Sequence, residues 1–128
     1  MNKYTILAVD DEENIRNLIK YTFDSQYYDV KTAENGKVAL TILENNHIDV
    51  IITDLLMPSM TGISLIREMK KRNSTIPIII ITAYGATDMV KEIITEGVFR
   101  LIEKPLDFDV LIPIVEDALK SKTKVRKN

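Results

Sequence analysis

Short apolar segments alternate five times along this 128-residue chain with segments whose apolar residues recur at helical spacing. The apolar segments are rich in β-branched residues, and they predict strands over residues 4–9, 28–33, 50–53, 76–82 and 101–102. The predicted helices cover residues 12–23, 62–71, 87–96 and 107 to about 122, and a further helix follows the Asn35-Gly36 turn and ends at Asn45-Asn46. Such regular alternation favours a parallel sheet with helices packed on both of its faces.

Right-handed crossovers leave few ways to order five parallel strands. The simplest is an α/β, flavodoxin-like (βα)5 doubly wound fold, whose five-stranded parallel sheet has the order 2-1-3-4-5. The composition, 45% hydrophobic and 28% charged, is typical of one globular domain. We expect this domain to span residues 1–120, with a basic tail or linker stub over 121–128.

Helical spacing also predicts which residues each helix buries. The predicted buried sets are Ile15, Leu18, Ile19 and Phe23 in the first helix, Val38, Ala39, Ile42 and Leu43 in the second, and Leu111, Ile114, Val115, Ala118 and Leu119 in the last. Asp11 is the predicted N-cap of the first helix, where Glu12 and Glu13 suit the positive end of the helix dipole. Pro113 is expected to kink the last helix or to lie in its first turns.

Polar residues follow four of the predicted strands. Asp10 and Asp11 come after the first strand, Asp54 after the third, Thr82 ends the fourth, and Lys104 follows the fifth. In the order 2-1-3-4-5 the first and third strands are neighbours, and ligands bind at the carboxyl edge where they diverge. The three carboxylates are therefore predicted to lie beside one another at this edge, with Thr82 and Lys104 nearby.

Three carboxylates in one place repel each other, and a divalent cation would relieve that repulsion. Oxygen ligands with room for water suit Mg²⁺, and Mn²⁺ is possible as well. A lysine and a threonine beside them suit a phosphoryl group, whose oxygens they can bind while a carboxylate attacks phosphorus. We also predict a cis Lys104-Pro105 peptide, because the chain must leave a buried strand, aim Lys104 into the site and start a helix almost at once.

These residues resemble the response-regulator receiver (CheY-like) domains of two-component signalling over residues 6–119. The resemblance rests on five motifs: Asp10-Asp11, Asp54 with Met57-Pro58, Gly62, Thr82-Ala83 and Lys104-Pro105. It implies that Asp54 accepts a phosphoryl group from phosphohistidine. It further implies that Asp11 and Asp54 bind Mg²⁺ directly, that Asp10 binds through water, that the backbone carbonyl of Leu56 completes the protein ligands, and that Lys104 and Thr82 bind the phosphoryl oxygens.

Within this family, residues 82–89 resemble the single-domain regulators of bacterial sporulation phosphorelays. The resemblance implies a relay intermediate that catalyses its own phosphorylation and phosphotransfer and is not a turnover enzyme in the usual sense. The alternative is the N-terminal receiver of a larger transcriptional regulator whose output domain is absent. Two positions depart from the family pattern: Leu101 replaces the usual tyrosine or phenylalanine, with Phe99 two residues earlier and predicted on the same strand face, and Thr61 replaces an acid or amide.

The resemblance implies a sensor histidine kinase or a histidine phosphotransferase as partner. The predicted docking patch lies beside the crevice and comprises Asn14, Ile15, Leu18, Pro105 and Leu106, with Ile15 favoured over Leu18.

A net charge of -2 argues against broad nucleic-acid binding, and no apolar run is long enough to cross a membrane. We expect a monomer, and the absence of cysteine fits the cytoplasm. His47, the only histidine, is expected at the surface.

Two other classes of protein use related sites. A Mg²⁺-dependent phosphatase of the haloacid-dehalogenase type needs a second acid two residues after its nucleophile, and Leu56 occupies that position. A flavin-binding module needs a phosphate-binding loop after the first strand, where residues 10–13 are all acidic and would repel phosphate. Both are therefore less favoured than the receiver.

Overall fold

Strands and helices alternate along the chain in the expected order. A computed structural model describes residues 3–55, 62–72, 74–83 and 98–127. Its elements are β1 (Tyr4–Val9), α1 (Glu13–Phe23), β2 (Tyr28–Ala33), α2 (Gly36–Asn45), β3 (Val50–Asp54), α3 (Gly62–Lys71), β4 (Ile78–Thr82), β5 (Arg100–Glu103) and α4 (Phe108–Lys127). The helix predicted over 87–96, like Leu56 and Thr61, lies outside the described residues.

The five strands form one sheet in the order β2-β1-β3-β4-β5, and every neighbouring pair is parallel. The predicted fold is therefore confirmed. Val9 pairs with Thr53, so Asp10 and Asp54 leave the sheet side by side. Thr82 pairs with Glu103, which puts Lys104 one residue past the end of the β4–β5 ladder.

Side chains along each strand alternate between two hydrophobic cores, one on each face of the sheet. Leu7, Ile51 and Ile80 pack with residues of α2 and α3, whereas Ile52 and Ile79 pack with residues of α1 and α4. All five side chains are fully buried. Burial on both faces explains why these strands are continuously apolar, and each such side chain contributes roughly 1.5–3 kcal/mol of transfer free energy.

Two predicted core positions are wrong, for the same geometrical reason. Leu18 of α1 is 47% exposed and Val38 of α2 is 36% exposed. Each precedes the innermost residue of its helix, Ile19 or Ala39, which is fully buried. Successive residues differ by about 100° around a helix, so the preceding residue lies at the margin of the buried stripe. The predicted inner face of α4 is confirmed, since every member of the set is buried or partly buried.

The first helix begins later than predicted. Its N-cap is Glu12, not Asp11, and the Glu12 side chain makes no capping hydrogen bond. Instead, Asp10 Oδ1 accepts a hydrogen bond from the Glu12 N–H at 2.9 Å. The side chain of Asp10 thus stabilises the turn from β1 into α1, and Asp11 is not the N-cap that the sequence pattern predicted.

Prolines and caps account for the boundaries at the other end of the chain. The fourth strand begins at Ile78 because Pro77 has no N–H to donate, although its carbonyl accepts from the Ile51 N–H at 3.1 Å. Asp107 Oδ1 accepts from the Asp109 N–H at 2.9 Å and caps α4. Pro113 lies exposed in the second turn of α4, which continues to Lys127, five residues past its predicted end.

Among the described helices, none is both long and apolar enough to span a membrane.

Candidate functional site

A crevice at the carboxyl edge of the sheet collects side chains from the ends of four strands. Asp10, Asp54 and Thr82 are all buried there, and Lys104 reaches in from the end of β5. A buried carboxylate is unfavourable unless it is hydrogen-bonded or paired with a cation. The surroundings of each charge therefore indicate how this site is held together.

Lys104 is the shared cation of the crevice. Its Nζ lies 3.1 Å from Asp54 Oδ2, 3.5 Å from Asp10 Oδ2 and 3.6 Å from Glu12 Oε1. Its backbone N–H donates to the Thr82 carbonyl at 2.7 Å and extends the β4–β5 ladder by one bond. The Lys104-Pro105 peptide is cis, which confirms the prediction.

Asp54 is held by hydrogen bonds at both its side chain and its backbone. The Leu55 N–H donates to Asp54 Oδ1 at 2.7 Å, and Asp54 Oδ2 faces Lys104. Thr53 Oγ1 donates to the Asp54 carbonyl oxygen at 2.9 Å. These contacts restrict the rotation of the carboxylate, so its oxygens are oriented before any ligand arrives.

Asp10 is fully buried and only partly satisfied. Within the described part of the chain its Oδ2 has no hydrogen-bond partner, and it faces Lys104 Nζ at a longer distance than a hydrogen bond. The pKa of Asp10 is raised from 3.8 to about 6, chiefly by burial and also by the charge of Asp54, whereas the hydrogen bond from the Glu12 N–H lowers this pKa. An unpaired acceptor of this kind suits a cation or a water bound to one.

The pKa of Lys104 shifts in the direction that keeps its charge. Burial alone would lower the pKa of the ammonium, but the hydrogen bond to Asp54 and the charges of Asp10, Asp54 and Glu12 outweigh burial and raise it. Lys104 is therefore a protonated lysine at neutral pH. It can bind an anionic group that approaches Asp54.

Carboxylate oxygens of Asp10, Asp11 and Glu12 can all lie within 4.8 Å of one another, as the ligands of one metal ion do. Asp10 is buried, whereas Asp11 and Glu12 are exposed. Oxygen donors at a solvent-accessible edge are those that Mg²⁺ uses when it keeps several waters, so the residues present fit this ion. Sequence reasoning named Asp10, Asp11 and Asp54 as ligands but assigned Glu12 only to the helix dipole.

Arg16 also belongs to the site, and sequence reasoning missed it. Its Nη1 donates to the carbonyl oxygen of Asp10 at 2.8 Å, which braces the turn between β1 and α1. The available signal was a basic residue near the positive end of α1, where basic side chains are unfavourable without a partner. Arg16 and the Asp10 carboxylate together hold this turn in place.

The predicted docking residues divide into exposed and partly buried positions. Asn14 and Pro105 are exposed, as is Leu18. Ile15 and Leu106 are partly buried and pack against the core on the α1 and α4 face of the sheet. The preference for Ile15 over Leu18 as a surface contact is therefore reversed by the packing.

Phe99 and Leu101 lie on different faces of the sheet. Leu101 packs against the core on the α2 and α3 face, and Phe99 packs against the core on the other face. The prediction that they share a face is wrong because Phe99 precedes β5, where strand alternation does not apply. Phe99 is therefore not an aromatic substitute for Leu101.

His47 lies at the opposite, amino edge of the sheet. Its side chain is 67% exposed, and Nε2 lies 2.9 Å from Asp49 Oδ1. Asp49 Oδ2 accepts from the Thr5 N–H at 2.8 Å, so this pair joins the loop before β3 to the start of β1. The expected surface position of His47 is confirmed.

Comparisons with known proteins agree with this architecture. Residues 6–116 match the family described as response regulator receiver domain. The receiver domain of Francisella response regulator 1452 superposes with a TM-score of 0.87 at 33% identity, covering 94% of this chain and 99% of that one. Sporulation initiation phosphotransferase F of Bacillus subtilis strain 168 is 35% identical over 123 residues, 96% of each chain.

Other relatives are much longer proteins. Regulatory protein AtoC of Escherichia coli K12 is 38% identical over 114 residues, which are 89% of this chain and 25% of AtoC. The chain spans about a quarter of the length of the first curated relatives it matches. The family match, the sheet order and the strand-end residues lead to one conclusion: this chain belongs to the response regulator receiver domain family of two-component systems.

Proposed function

We propose that Asp54 accepts a phosphoryl group from the phosphohistidine of a partner protein, with Mg²⁺ bound in the same crevice. The observation that carries this proposal is the contact of 3.1 Å between Lys104 Nζ and Asp54 Oδ2 at the buried edge of the sheet. Receiver domains bind Mg²⁺ at their acidic cluster and interact with histidine kinases or phosphotransferases.

Each side chain has a defined part in this transfer. Asp54 attacks phosphorus through Oδ2, while the hydrogen bond from the Leu55 N–H keeps Oδ1 in place. Lys104 exchanges its contact with Asp54 for a phosphoryl oxygen, and Thr82, at the end of β4, binds another. When held by the carboxylates of this edge, Mg²⁺ would supply positive charge that neutralises the transferring group.

Asp10, Asp11 and Asp54 are the proposed Mg²⁺ ligands. Asp10 contributes through water, which suits its buried, unpaired Oδ2. The carbonyl of Leu56 is the fourth proposed protein ligand and lies outside the described residues. Mn²⁺ favours the same oxygen donors and should replace Mg²⁺.

Labelling by small phosphodonors tests the proposal. Incubation with acetyl phosphate or phosphoramidate and Mg²⁺ should add one phosphate by intact mass. Asp54→Asn should abolish the added mass, while Asp24→Asn, which alters an exposed aspartate at the end of α1, should label like wild type. Equal labelling of the Asp54 variant, or labelling that survives removal of divalent cations, would refute the assignment.

For the role of the phosphoryl group, we propose a relay. Similarity along 96% of sporulation initiation phosphotransferase F supports a chain that passes phosphate onward, and so does Leu101 in place of an aromatic switch residue. The alternative, a receiver that controls a larger transcriptional regulator, is supported by the similarity to AtoC. Transfer of label from phosphorylated protein to a purified histidine phosphotransferase supports the relay, and no transfer to any such partner contradicts it.

The proposed partner is a cytoplasmic histidine kinase or phosphotransferase that docks over the crevice onto a monomer. The proposed contact is formed by the exposed residues beside the crevice, Asn14, Leu18 and Pro105. Ile15 and Leu106 pack against the core and complete the proposed patch. Leu18 supplies the apolar area that a helical partner can bury.

A further inference from the structure

Glu12 stands at the mouth of the crevice, above the residues that react. The Lys104 side chain is 18% exposed and that of Glu12 is 61% exposed, while Asp54 below them is buried. Exposure therefore rises outward from Asp54 through Lys104 to Glu12. Glu12 is therefore the most solvent-exposed of the three groups, and its carboxylate lies beside the ammonium that contacts Asp54.

The Glu12 side chain is directed to the site and not to the helix it precedes. Glu12 occupies the N-cap of α1, yet its side chain makes no capping hydrogen bond. Shorter polar side chains are the favoured caps because they reach back to the first free N–H groups. The Glu12 carboxylate instead lies 3.6 Å from Lys104 Nζ, on the ammonium that also contacts Asp54.

We propose that Glu12 is a donor-specificity residue: its carboxylate disfavours phosphodonors whose leaving group departs as an anion and favours those whose leaving group is a protonated nitrogen. This inference rests on the proposed phosphorylation of Asp54. The leaving group of an in-line displacement lies opposite the attacking oxygen, so it points away from Asp54 and outward, toward Glu12.

The charge on the leaving group differs between two simple donors. With acetyl phosphate, an Asp54 oxygen–phosphorus bond forms, a phosphorus–oxygen bond breaks, and the electron pair departs with acetate. With phosphoramidate, the same bond forms, a phosphorus–nitrogen bond breaks, and the protonated nitrogen departs as neutral ammonia. Phosphohistidine resembles phosphoramidate, because its protonated imidazole departs neutral after the phosphorus–nitrogen bond breaks.

Electrostatics then sets the direction of the effect. Negative charge builds up on the departing acetate, and the Glu12 carboxylate opposes it. The nitrogen of phosphoramidate is positive before transfer and keeps part of that charge in the transition state, where the same carboxylate attracts it, so the difference between the donors appears in rates measured below donor saturation. Glu12 and Asp54 contact one ammonium nitrogen, well within the roughly 10 Å over which charges interact at moderate salt.

The test compares Glu12→Gln with wild type at saturating Mg²⁺, using both donors and intact mass to follow labelling. We expect the ratio of the acetyl phosphate rate to the phosphoramidate rate to rise about threefold or more in the variant, the effect of one unit charge at this range in a partly solvated site. The rise should shrink at high salt because exposed charges are screened.

Glu13→Gln is the matched control. It removes the same charge one residue further along, from an exposed side chain to which the described structure gives no ion pair. Its rate ratio should stay at the wild-type value. An equal rise in both variants would overturn the proposal, since it would show a response to net charge alone.

Three further results separate the possible failures. If Glu12→Gln labels with an unchanged ratio, the specificity role is wrong while the phosphorylation of Asp54 stands. If the variant needs more Mg²⁺ and loses rate with both donors equally, Glu12 is a metal ligand and the proposal is also overturned. If wild type labels with neither donor, both the proposed function and this inference are wrong.

Discussion

At the residue scale, the carboxyl of Asp10 couples the charge of the crevice to stability. Because the pKa of Asp10 is raised to about 6, the folded protein binds its proton more tightly than the unfolded chain does. The contribution of Asp10 to the free energy of unfolding should therefore fall as pH rises from about 4 to about 6, when no divalent cation is present.

Urea unfolding in EDTA at several pH values measures this effect. Asp10→Asn should be more stable than wild type near pH 7, by on the order of 1–3 kcal/mol, and the difference should shrink toward pH 4. Mg²⁺ should stabilise wild type more than the variant, since a cation beside the carboxylate offsets the cost of its buried charge. A variant with the pH dependence of wild type would contradict the role given to Asp10.

Truncation should lower stability at Ile15 and leave it almost unchanged at Leu18. Ile15→Ala removes a side chain that packs against the core and should lower the free energy of unfolding by about 1–3 kcal/mol. Leu18→Ala removes a largely exposed side chain and should change it by no more than about 0.5 kcal/mol. Urea unfolding of the two variants checks both expectations.

Phosphotransfer then tests whether Leu18 docks a partner. Leu18→Ala should label with acetyl phosphate at the wild-type rate, while transfer from a purified kinase or phosphotransferase slows. Tyr21→Ala is a useful comparison, because Tyr21 is another exposed apolar residue of α1, one turn further from the site. Unchanged transfer to the Leu18 variant would remove it from the docking surface.

At the element scale, a side-chain cap marks where α2 begins. Asn35 Oδ1 accepts from the Val38 N–H at 3.0 Å and caps α2, although its sequence context, Asn35-Gly36, suggested only a turn. Asn35→Ala should lower the free energy of unfolding by about 1 kcal/mol, and Asn35→Ser should restore most of the loss. Denaturant unfolding measures both, and an alanine variant as stable as wild type would show that the cap contributes nothing.

The elements were predictable where the signal is local. Three of the predicted ranges, β1 (Tyr4–Val9), β2 (Tyr28–Ala33) and α3 (Gly62–Lys71), match the structure to the residue. The strand β4 was predicted two residues too long because Pro77 lacks the N–H that a ladder needs. Boundaries thus failed where a single backbone group decided them.

At the scale of the whole molecule, Leu101 influences how far the conformational change caused by phosphorylation should spread from Asp54. Leu101 packs in the core on the α2 and α3 face and has no ring to turn inward. Beryllofluoride, a phosphoryl mimic, should therefore shift the amide resonances near Asp54, Thr82 and Lys104 most, with small shifts around Leu101. Nuclear magnetic resonance of the labelled protein with and without the mimic measures this.

Leu101→Tyr supplies the comparison for that experiment. The variant introduces the aromatic residue usual in the family, and its amide shifts along β5 should exceed those of wild type. Large shifts centred on Leu101 in wild type, accompanied by a new dimer, would show that the signal spreads without an aromatic ring.

The sequence by itself determined the sheet order and the positions of Asp10, Asp54 and Lys104 at one edge. Those features follow from strand and helix periods and from handed crossovers, which depend on residues close together in the chain. Only the tertiary structure decided that Leu18 is exposed and that Glu12 reaches Lys104. Both depend on how separate elements pack, since the Glu12–Lys104 contact joins the start of α1 to the end of β5, at opposite ends of the chain. No local pattern encodes contacts between such distant residues.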